Sequence, residues 1–260
     1  MTQVVLLGSA GRMGRALVQA LSDAGDLTLK ACVERREVPA PPDGSVPWGH
    51  DLAEFVAPRD VVIDFSVAAA AVQAAGLCAQ RGAGLVSGTT GLDESQEAAF
   101  RAAARATPVV RAANFSLGVL ALRRALAAVL EAVPAHWDVE IVERHHRAKR
   151  DAPSGTALEL ARQAARRRGY PESALRAGRS GLTGSRPQAE IGIHALRGGS
   201  WVGDHTVVLA GVGESIELRH VAQDRAAFAH GALAAARFVA TAAPGFYTLE
   251  EVVGATATAT

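Results

Sequence analysis

The segment Glu143-Arg144-His145-His146-Arg147-Ala148-Lys149-Arg150-Asp151-Ala152-Pro153-Ser154-Gly155-Thr156 concentrates the residues best able to do chemistry. Six side chains that can carry positive charge fall within seven positions, Arg144 to Arg150. The Ser-Gly-Thr that follows opens a helix, whose first N–H groups and positive dipole end attract an anion. Imidazole titrates near neutral pH and suits proton donation. Together these groups describe a pocket for a small acidic molecule that must take up a proton. For such a run by itself, a basic surface loop is the alternative. Metal binding is disfavoured: adjacent histidines on a strand end point in opposite directions, and no Cys or carboxylate cluster completes a coordination shell. Ser154 lacks the Gly-x-Ser-x-Gly surroundings of a hydrolase nucleophile.

A second constellation lies at the other end of the chain. Gly8-Ser9-Ala10-Gly11-Arg12-Met13-Gly14 follows an apolar run, Val4–Leu7, and opens a helix. Glycines at that point permit a tight turn and close approach of backbone to a pyrophosphate. The spacing is Gly-x-x-Gly-x-x-Gly, not the commoner Gly-x-Gly-x-x-Gly. Glu34 ends the next apolar run, 20 positions after Gly14, where an acidic residue accepts from ribose hydroxyls. Arg35 and Arg36 follow and offer a seat for the 2′-phosphate of NADP. Glu34 favours NADH and the arginines NADPH, so either cofactor, or both, is expected. Asp64-Phe65-Ser66, Ser87-Gly88-Thr89-Thr90-Gly91 and Ala112-Ala113-Asn114-Phe115-Ser116 each close a strand, where ligands of open α/β sheets bind.

The elements that must position these groups follow from periodicity. Short apolar strands alternate with Ala-rich helices up to about Phe115, which predicts an α/β, Rossmann-type parallel sheet covered on both faces. Residues 38–50, with Pro39, Pro41, Pro42 and Pro47, read as a loop. A long apolar helix, 118–133, then opens a different pattern. It leads to a strand at 139–143, the basic loop, and a helix at 156–168 that ends in Arg166-Arg167-Arg168-Gly169. Three further strands, at 190–196, 201–210 and 214–221, look antiparallel, with hairpin-like turns at 197–200 and 211–213. The expected organisation is a dinucleotide-binding domain, 1–116, completed by 225–260. Inserted into it is an α+β domain, 117–224, with an open, mainly antiparallel sheet.

Bulk properties narrow the partners. With 260 residues and a net charge of +1, the chain gives no reason to expect nucleic acid or an acidic membrane. No apolar run reaches the ~18 residues of a membrane span. The start reads directly as a strand without a basic leader, so a cytoplasmic protein is expected. Cys32 and Cys78 sit in apolar contexts and read as buried thiols.

In their order, these motifs resemble the dihydrodipicolinate reductase family. Gly-x-x-Gly-Arg-Met-Gly at 8–14, Gly-Thr-Thr-Gly at 88–91 and Ala-Ala-Asn-Phe-Ser at 112–116 come first. Glu-x-His-His-x-x-Lys-x-Asp-Ala-Pro-Ser-Gly-Thr-Ala at 143–157, Arg-Gly-Gly at 197–199 and Gly-Asp-His at 203–205 follow. The resemblance spans nearly the whole chain, and 143–157 is its most specific part. It implies NAD(P)H-dependent reduction of 4-hydroxy-tetrahydrodipicolinate, in its dehydrated imine form, on the diaminopimelate route to lysine. It implies His145 as proton donor and Lys149 as a second donor. His146, Lys149, Ser154, Gly155 and Thr156 would bind the substrate carboxylates. Gly8, Ser9, Ala10, Gly11, Arg12, Met13, Glu34, Arg35, Gly88, Thr89, Thr90, Ala112, Ala113, Asn114 and Phe115 would form the cofactor site. No metal is implied, and a homotetramer is. Departures are Ser9 for the usual alanine, Ser87 for a branched apolar residue, and a loose form of the family's Ser-Arg-x-x-Phe-Ala-x-Gly at 224–231. A non-catalytic dinucleotide sensor, or another imine reductase such as an aspartate dehydrogenase, is the rival reading. The His145/Lys149 pair disfavours the sensor, and segment 143–157 disfavours the other reductase.

Overall fold

The computed structural model describes residues 1–35 and 46–257, so Arg36, Pro39, Pro41 and Pro42 lie outside the described residues. The chain divides into two compact units, Met1–Leu117 with Arg225–Thr260, and Gly118–Asp224.

The first unit is a sheet of parallel strands wrapped by helices. In chain order come β1 (Thr2–Leu7), α1 (Arg12–Ser22), β2 (Leu27–Val33), β3 (Trp48–Gly49), β4 (Val61–Asp64), α2 (Ala68–Arg81), β5 (Gly84–Ser87), α3 (Glu94–Ala103) and β6 (Pro108–Arg111). The chain leaves through α4 (Leu117–Ala132). It returns as α6 (Ala226–Val239), β12 (Gly245–Tyr247) and α7 (Leu249–Ala257). Strand order is β12-β6-β5-β4-β1-β2-β3, with every ladder parallel. The order reverses between β1 and β4, and a crevice opens at the carboxyl ends there. Val4, Val5, Val61, Val62, Ile63, Leu85 and Val86 are fully buried because both faces of the sheet are covered. Local chemistry sets the helix ends. Asp93 and Gln96 form a capping box on α3, and Gly82, at φ 66°, closes α2 in the left-handed region.

The second unit has α4, β7 (Asp138–His145), α5 (Gly155–Arg168), β8 (Leu175–Ala177), β9 (Ile191–Arg197), β10 (Gly203–Ala210) and β11 (Ser215–Ala222). Its sheet runs β11-β10-β7-β9-β8 and is mixed. β10 pairs antiparallel with β7 and β11, while β9 runs parallel to β7 and β8. The turn at 211–213 is a hairpin, with Ala210 opposite Ser215. The turn at 197–200 is not: β9 and β10 flank β7 instead of pairing with each other. One face of the sheet packs Val139, Ile141, Ile191, Ile193, Val207 and Leu209 against Leu126 of α4 and Leu160 of α5. Full burial of one such side chain stabilises by about 1.5–3 kcal/mol. α5 stops at Gly169 (φ 69°), with Arg166, Arg167 and Arg168 in its last turn. β3, β8 and β12 have two or three residues each and lie on or beside sheet edges, too short for a period-two pattern to reveal. β3 corrects the loop reading of 38–50.

Candidate functional site

Strand alternation sorts the catalytic segment. On β7, Val139, Ile141, Glu143 and His145 share the helix-covered face, and their neighbours turn the other way. The apolar core ends after Ile141. Glu143 stands opposite Ala195 on β9 and His205 on β10, and His145 stands opposite Arg197.

Glu143 is fully buried and fully engaged. Its Oε1 accepts from Arg197 Nη2 at 2.8 Å and from the Ser154 N–H at 3.0 Å. Its Oε2 accepts from Arg197 Nη1 at 2.8 Å and from His145 Nδ1 at 2.6 Å. Burial alone would raise the carboxyl, but the bonds from His145, Arg197 and Ser154 outweigh it and hold it at about 2. An ionised carboxylate only accepts, so Nδ1 of His145 carries the hydrogen. The ring of His145 lies edge-on to that of His205, with centroids 5.2 Å apart. A Cβ on Gly203 would come within 3.3 Å of His145 Nε2, so glycine leaves that nitrogen its space. His205 is buried, and burial together with the His145 charge lowers it to about 4, so it is neutral at pH 7. Its Nε2 shares a hydrogen bond with Ser154 Oγ at 3.2 Å, and its Nδ1 has no hydrogen-bond partner among the described residues.

The cations of the run do not converge. Arg144 is on the opposite face of β7, where it pairs with Asp204 at 3.1 Å beside Arg219. Arg147 and Arg150 are exposed. Lys149 is paired with Asp151 at 2.8 Å. The loop itself is pinned by backbone bonds: His146 N–H to Trp201 O, Arg147 N–H to Gly199 O, and Gly198 N–H to His145 O. Arg197 Nη2 also donates to Asp151 O at 2.6 Å. Ser154 caps α5 through Oγ, which accepts from Ala157 N–H at 3.2 Å. The Ser154 N–H was expected to face a ligand but points inward to Glu143. Gly155 is exposed at the helix start, with Thr156 partly so. The Ala152–Pro153 peptide is cis.

In the first unit the glycine loop forms a cradle at the β1/β4 reversal. A Cβ on Gly14 would lie 2.3 Å from Gly8 O, and one on Gly8 would lie 2.5 Å from Phe65 O, with φ at +88°. Neither position tolerates a side chain. α1 begins at Gly11 with no side-chain cap and no acid in its first turn, the polarity a pyrophosphate needs. Glu34 Oε1 accepts from Ala10 N–H at 2.5 Å, tying the end of β2 to the loop. A cleft beside it is lined by Gly8, Gly11, Glu34, Arg35, Phe65 and Ser66. These residues fit a dinucleotide. Ser9 is buried and hydrogen-bonds to Cys32.

Thr89 turns inward. Asp64, fully buried, accepts from Ser87 Oγ at 2.7 Å, Thr89 Oγ1 at 2.8 Å, Ser66 N–H at 3.0 Å and Ser66 Oγ at 2.5 Å. This hub explains Ser87: a branched apolar side chain there would leave Asp64 short of a donor. Gly88 lies against the Phe65 ring, Thr90 and Ala113 are exposed, and Asn114 Oδ1 accepts from Ser116 N–H at 2.8 Å. Phe115 is buried, edge-on to Phe65. A Cβ on Gly231 would lie 1.8 Å from Phe115 O, which accounts for the glycine of the 224–231 segment.

The sequence showed Arg197, His205 and Arg225 only within motifs, without a role, and Asp64 only as part of a strand-end turn, not as a buried acceptor. Arg225 begins α6, and burial together with Arg12 and Arg15 lowers its proton affinity. Two further guanidinium groups acting on Arg225 make an anion beside it favourable. Arg225 stood in a motif, but its neighbours Arg12 and Arg15 are some 210 positions away in sequence.

The family models and the curated relatives agree over nearly the whole chain. The family model described as dihydrodipicolinate reductase, N-terminus, matches residues 2–115, and its C-terminal counterpart matches 118–253. The chain is 42% identical over 265 residues to the 4-hydroxy-tetrahydrodipicolinate reductase of Parvibaculum lavamentivorans, covering 97% of each. It is 43% identical to that of Rhizobium meliloti, again covering 97% of each. A dipicolinate-bound dihydrodipicolinate reductase from Paenisporosarcina sp. TG-14 shares the fold, with a TM-score of 0.75 at 24% identity over 95% of this chain and 97% of that one. The chain belongs to the dihydrodipicolinate reductase family.

Proposed function

We propose that the chain reduces 4-hydroxy-tetrahydrodipicolinate, in its dehydrated imine form, to tetrahydrodipicolinate with NADH or NADPH, and that the residues above divide this work. The first unit binds the dinucleotide through Gly8, Ser9, Ala10, Gly11, Arg12 and Met13 at the pyrophosphate, and through Glu34 and Arg35 at the adenosine ribose. The turns at Gly88-Thr89-Thr90 and Ala112-Ala113-Asn114-Phe115 would hold its nicotinamide end. When bound, the reduced cofactor supplies a hydride, two electrons with one hydrogen. The conjugated imine that accepts it becomes an electron-rich enamine or carbanion, and one proton completes the reduction. His145 gives that proton from Nε2. Lys149 is a second donor and, with His146, Gly155 and Thr156, holds the two carboxylates, while Ser154 sets the turn. For this, Lys149 exchanges Asp151 for a substrate carboxylate. The reading also places the enzyme in the cytoplasm as a homotetramer built on the sheet of the second unit, which the family resemblance supports.

The observation that carries the reading is the setting of His145. Its ring is buried at a strand end, anchored through Nδ1 to an ionised carboxylate, with Nε2 beside a glycine. Steady-state rates with both cofactors test it, together with competition by pyridine-2,6-dicarboxylate. His145→Gln should keep cofactor affinity and lose turnover by about 10²–10⁴-fold. Lys149→Ala should raise KM, lower kcat and weaken inhibition by the dicarboxylate. Full turnover in His145→Gln, or unchanged inhibition in Lys149→Ala, would place the site elsewhere.

A further inference from the structure

We propose that Glu143 and Arg197 form a charge-balanced seat that sets both the tautomer of His145 and the pH at which it can give up its proton. This rests on His145 being the donor. Glu143 is a positioning residue: it reaches the substrate only through His145.

The geometry carries the inference. Every acceptor direction of the Glu143 carboxylate is taken up, by the Arg197 fork at 2.8 and 2.8 Å, the Ser154 N–H at 3.0 Å and His145 Nδ1 at 2.6 Å. With its carboxylate held by three partners from three different segments, Glu143 cannot swing to another role. His145 Nδ1–H is therefore kept on Glu143, and Nε2 alone is left to exchange a proton. When Nε2 donates, the ring passes from imidazolium to the neutral Nδ1–H form with no rotation. Its positive charge leaves with the proton, and the proton is regained from water.

Arg197 adds the second part. A bare buried carboxylate at 2.6 Å would hold the imidazolium tightly and make it a poor acid. The guanidinium on the same carboxylate offsets that charge. His205, edge-on to His145, is held neutral by burial and adds no charge of its own at pH 7. Ser154, facing from the start of α5, is uncharged. Among the described residues, the charged groups that the hydrogen bonds and strand register set against His145 are Glu143, negative, and Arg197, positive.

Removing either one should shift the alkaline limb of the kcat profile, in opposite directions. Glu143→Gln turns its amide NH2 toward Nδ1, because Arg197 claims the carbonyl oxygen. The imidazolium is then disfavoured, the alkaline limb moves to lower pH, and kcat at pH 8 falls by about 10²–10⁴-fold, as for a lost orienting carboxylate. Arg197→Met leaves the carboxylate uncompensated, so the limb moves to higher pH. Glu143→Asp keeps the charge but shortens the reach; it should lose rate with the limb close to that of the parent. Gly203→Ala crowds Nε2 and should lower kcat several-fold with no shift of the limb.

A readout without turnover accompanies these profiles. In protein labelled with ¹⁵N-histidine, at a pH above the alkaline limb, where the ring is neutral, the His145 ring, assigned by its loss in His145→Gln, should show protonated Nδ1 and bare Nε2 in the parent. The order should be reversed in Glu143→Gln. Circular dichroism and binding of pyridine-2,6-dicarboxylate show that each variant is folded. Unchanged ring shifts in folded Glu143→Gln, or limbs of Glu143→Gln and Arg197→Met that move together, would overturn the proposal. Retained turnover in His145→Gln would instead overturn the reading on which it rests.

Discussion

Glu140 and Glu143 stand three positions apart on β7 and face opposite sides of the sheet. Their inventories are nearly the same. Glu140 accepts from Arg179, from Arg186 Nε at 2.9 Å and from His194 Nε2 at 2.7 Å. Glu143 accepts from Arg197, His145 and the Ser154 N–H. For both, burial raises the carboxyl and the hydrogen bonds reverse it, to about 2. The two differ in depth and in what the histidine has left over. The Glu140 side chain is 22% exposed, that of Glu143 0%. Around Glu140, both arginines come from the 178–190 segment, which the network ties to the sheet; a Cβ on Gly192 would lie 1.9 Å from Oε2. Around Glu143, the histidine is held by Nδ1 and keeps Nε2 beside Gly203. One set of residue types thus makes a strap on one face and a seat for a proton carrier on the other.

The sharpest way to break this comparison is to remove each histidine. His145→Gln should lower kcat by about 10²–10⁴-fold, the range for a lost general acid. His194→Gln should leave kcat within about twofold, since its loss removes one of several partners of a partly exposed carboxylate. Initial rates at saturating substrate check both. Comparable losses would make the two networks functionally alike.

Removing each carboxylate is the next largest effect, now on stability. Glu143→Ala leaves the Arg197 fork without its counter-charge and the Ser154 N–H unsatisfied, which should cost about 3–5 kcal/mol. Glu140→Ala leaves Arg186 on Asp138 at 2.7 Å and Arg179 on Glu190, so about 1 kcal/mol is expected. Urea midpoints of the two variants should therefore separate clearly. Equal shifts would show that depth does not distinguish the faces.

This contrast also marks how far the sequence could be read. The glycine cradle, Glu34 at the end of β2 and His145 at the end of β7 were legible as placements because each sits in a short segment whose spacing has a mechanical reason. The long strands and helices were legible because their periods persist. Arg197 was visible only as the start of Arg-Gly-Gly, and its partner Glu143 lies 54 positions away on a neighbouring parallel strand. Nothing local encodes that register. The run Arg144–Arg150 misled in one respect. Counting cations treats a segment as a point, whereas alternation on β7 sends Arg144 to the face opposite His145. Ser87 looked like a departure and proved to be a donor to buried Asp64, a pairing that needs adjacent strands β4 and β5.

Acid sharpens the comparison a step further, because the seat holds a second imidazole and the strap does not. His205 is lowered from 6.5 to about 4, first by burial and then by His145. The unfolded chain therefore takes up this proton at a higher pH than the folded one. The stability it contributes is complete above pH 6.5 and is lost as pH falls toward 4, by about 3 kcal/mol in all. Glu140 and Glu143, lowered from 4.5 to about 2, contribute stability above pH 4.5 that is lost between pH 4.5 and 2. Denaturation midpoints measured from pH 7.5 to 3 should show two regions of decline. His205→Gln should flatten the upper region and leave the lower one. An unaltered slope between pH 6.5 and 4.5 in that variant would remove His205 from the account.

The smallest expected effect separates the hydroxyl of Ser154 from its backbone. Ser154 serves the seat twice: its N–H donates to Glu143 at 3.0 Å, and its Oγ caps α5 while meeting His205 at 3.2 Å. Ser154→Ala deletes only the second function. Loss of the cap and of the His205 partner should cost about 1–2 kcal/mol together. The N–H bond to Glu143 survives, so Glu143 keeps its orientation, and kcat should stay within about threefold, less than ~1 kcal/mol of barrier. Because the hydroxyl points inward, KM should hardly change either. Parallel measurement of the urea midpoint, kcat and KM checks all three. A loss of kcat approaching that of His145→Gln would put the hydroxyl itself in the proton path. A large rise in KM with kcat unchanged would turn it toward the substrate carboxylate. Only a loss confined to stability fits a seat whose chemistry runs through Glu143 and whose cap merely holds the helix in place.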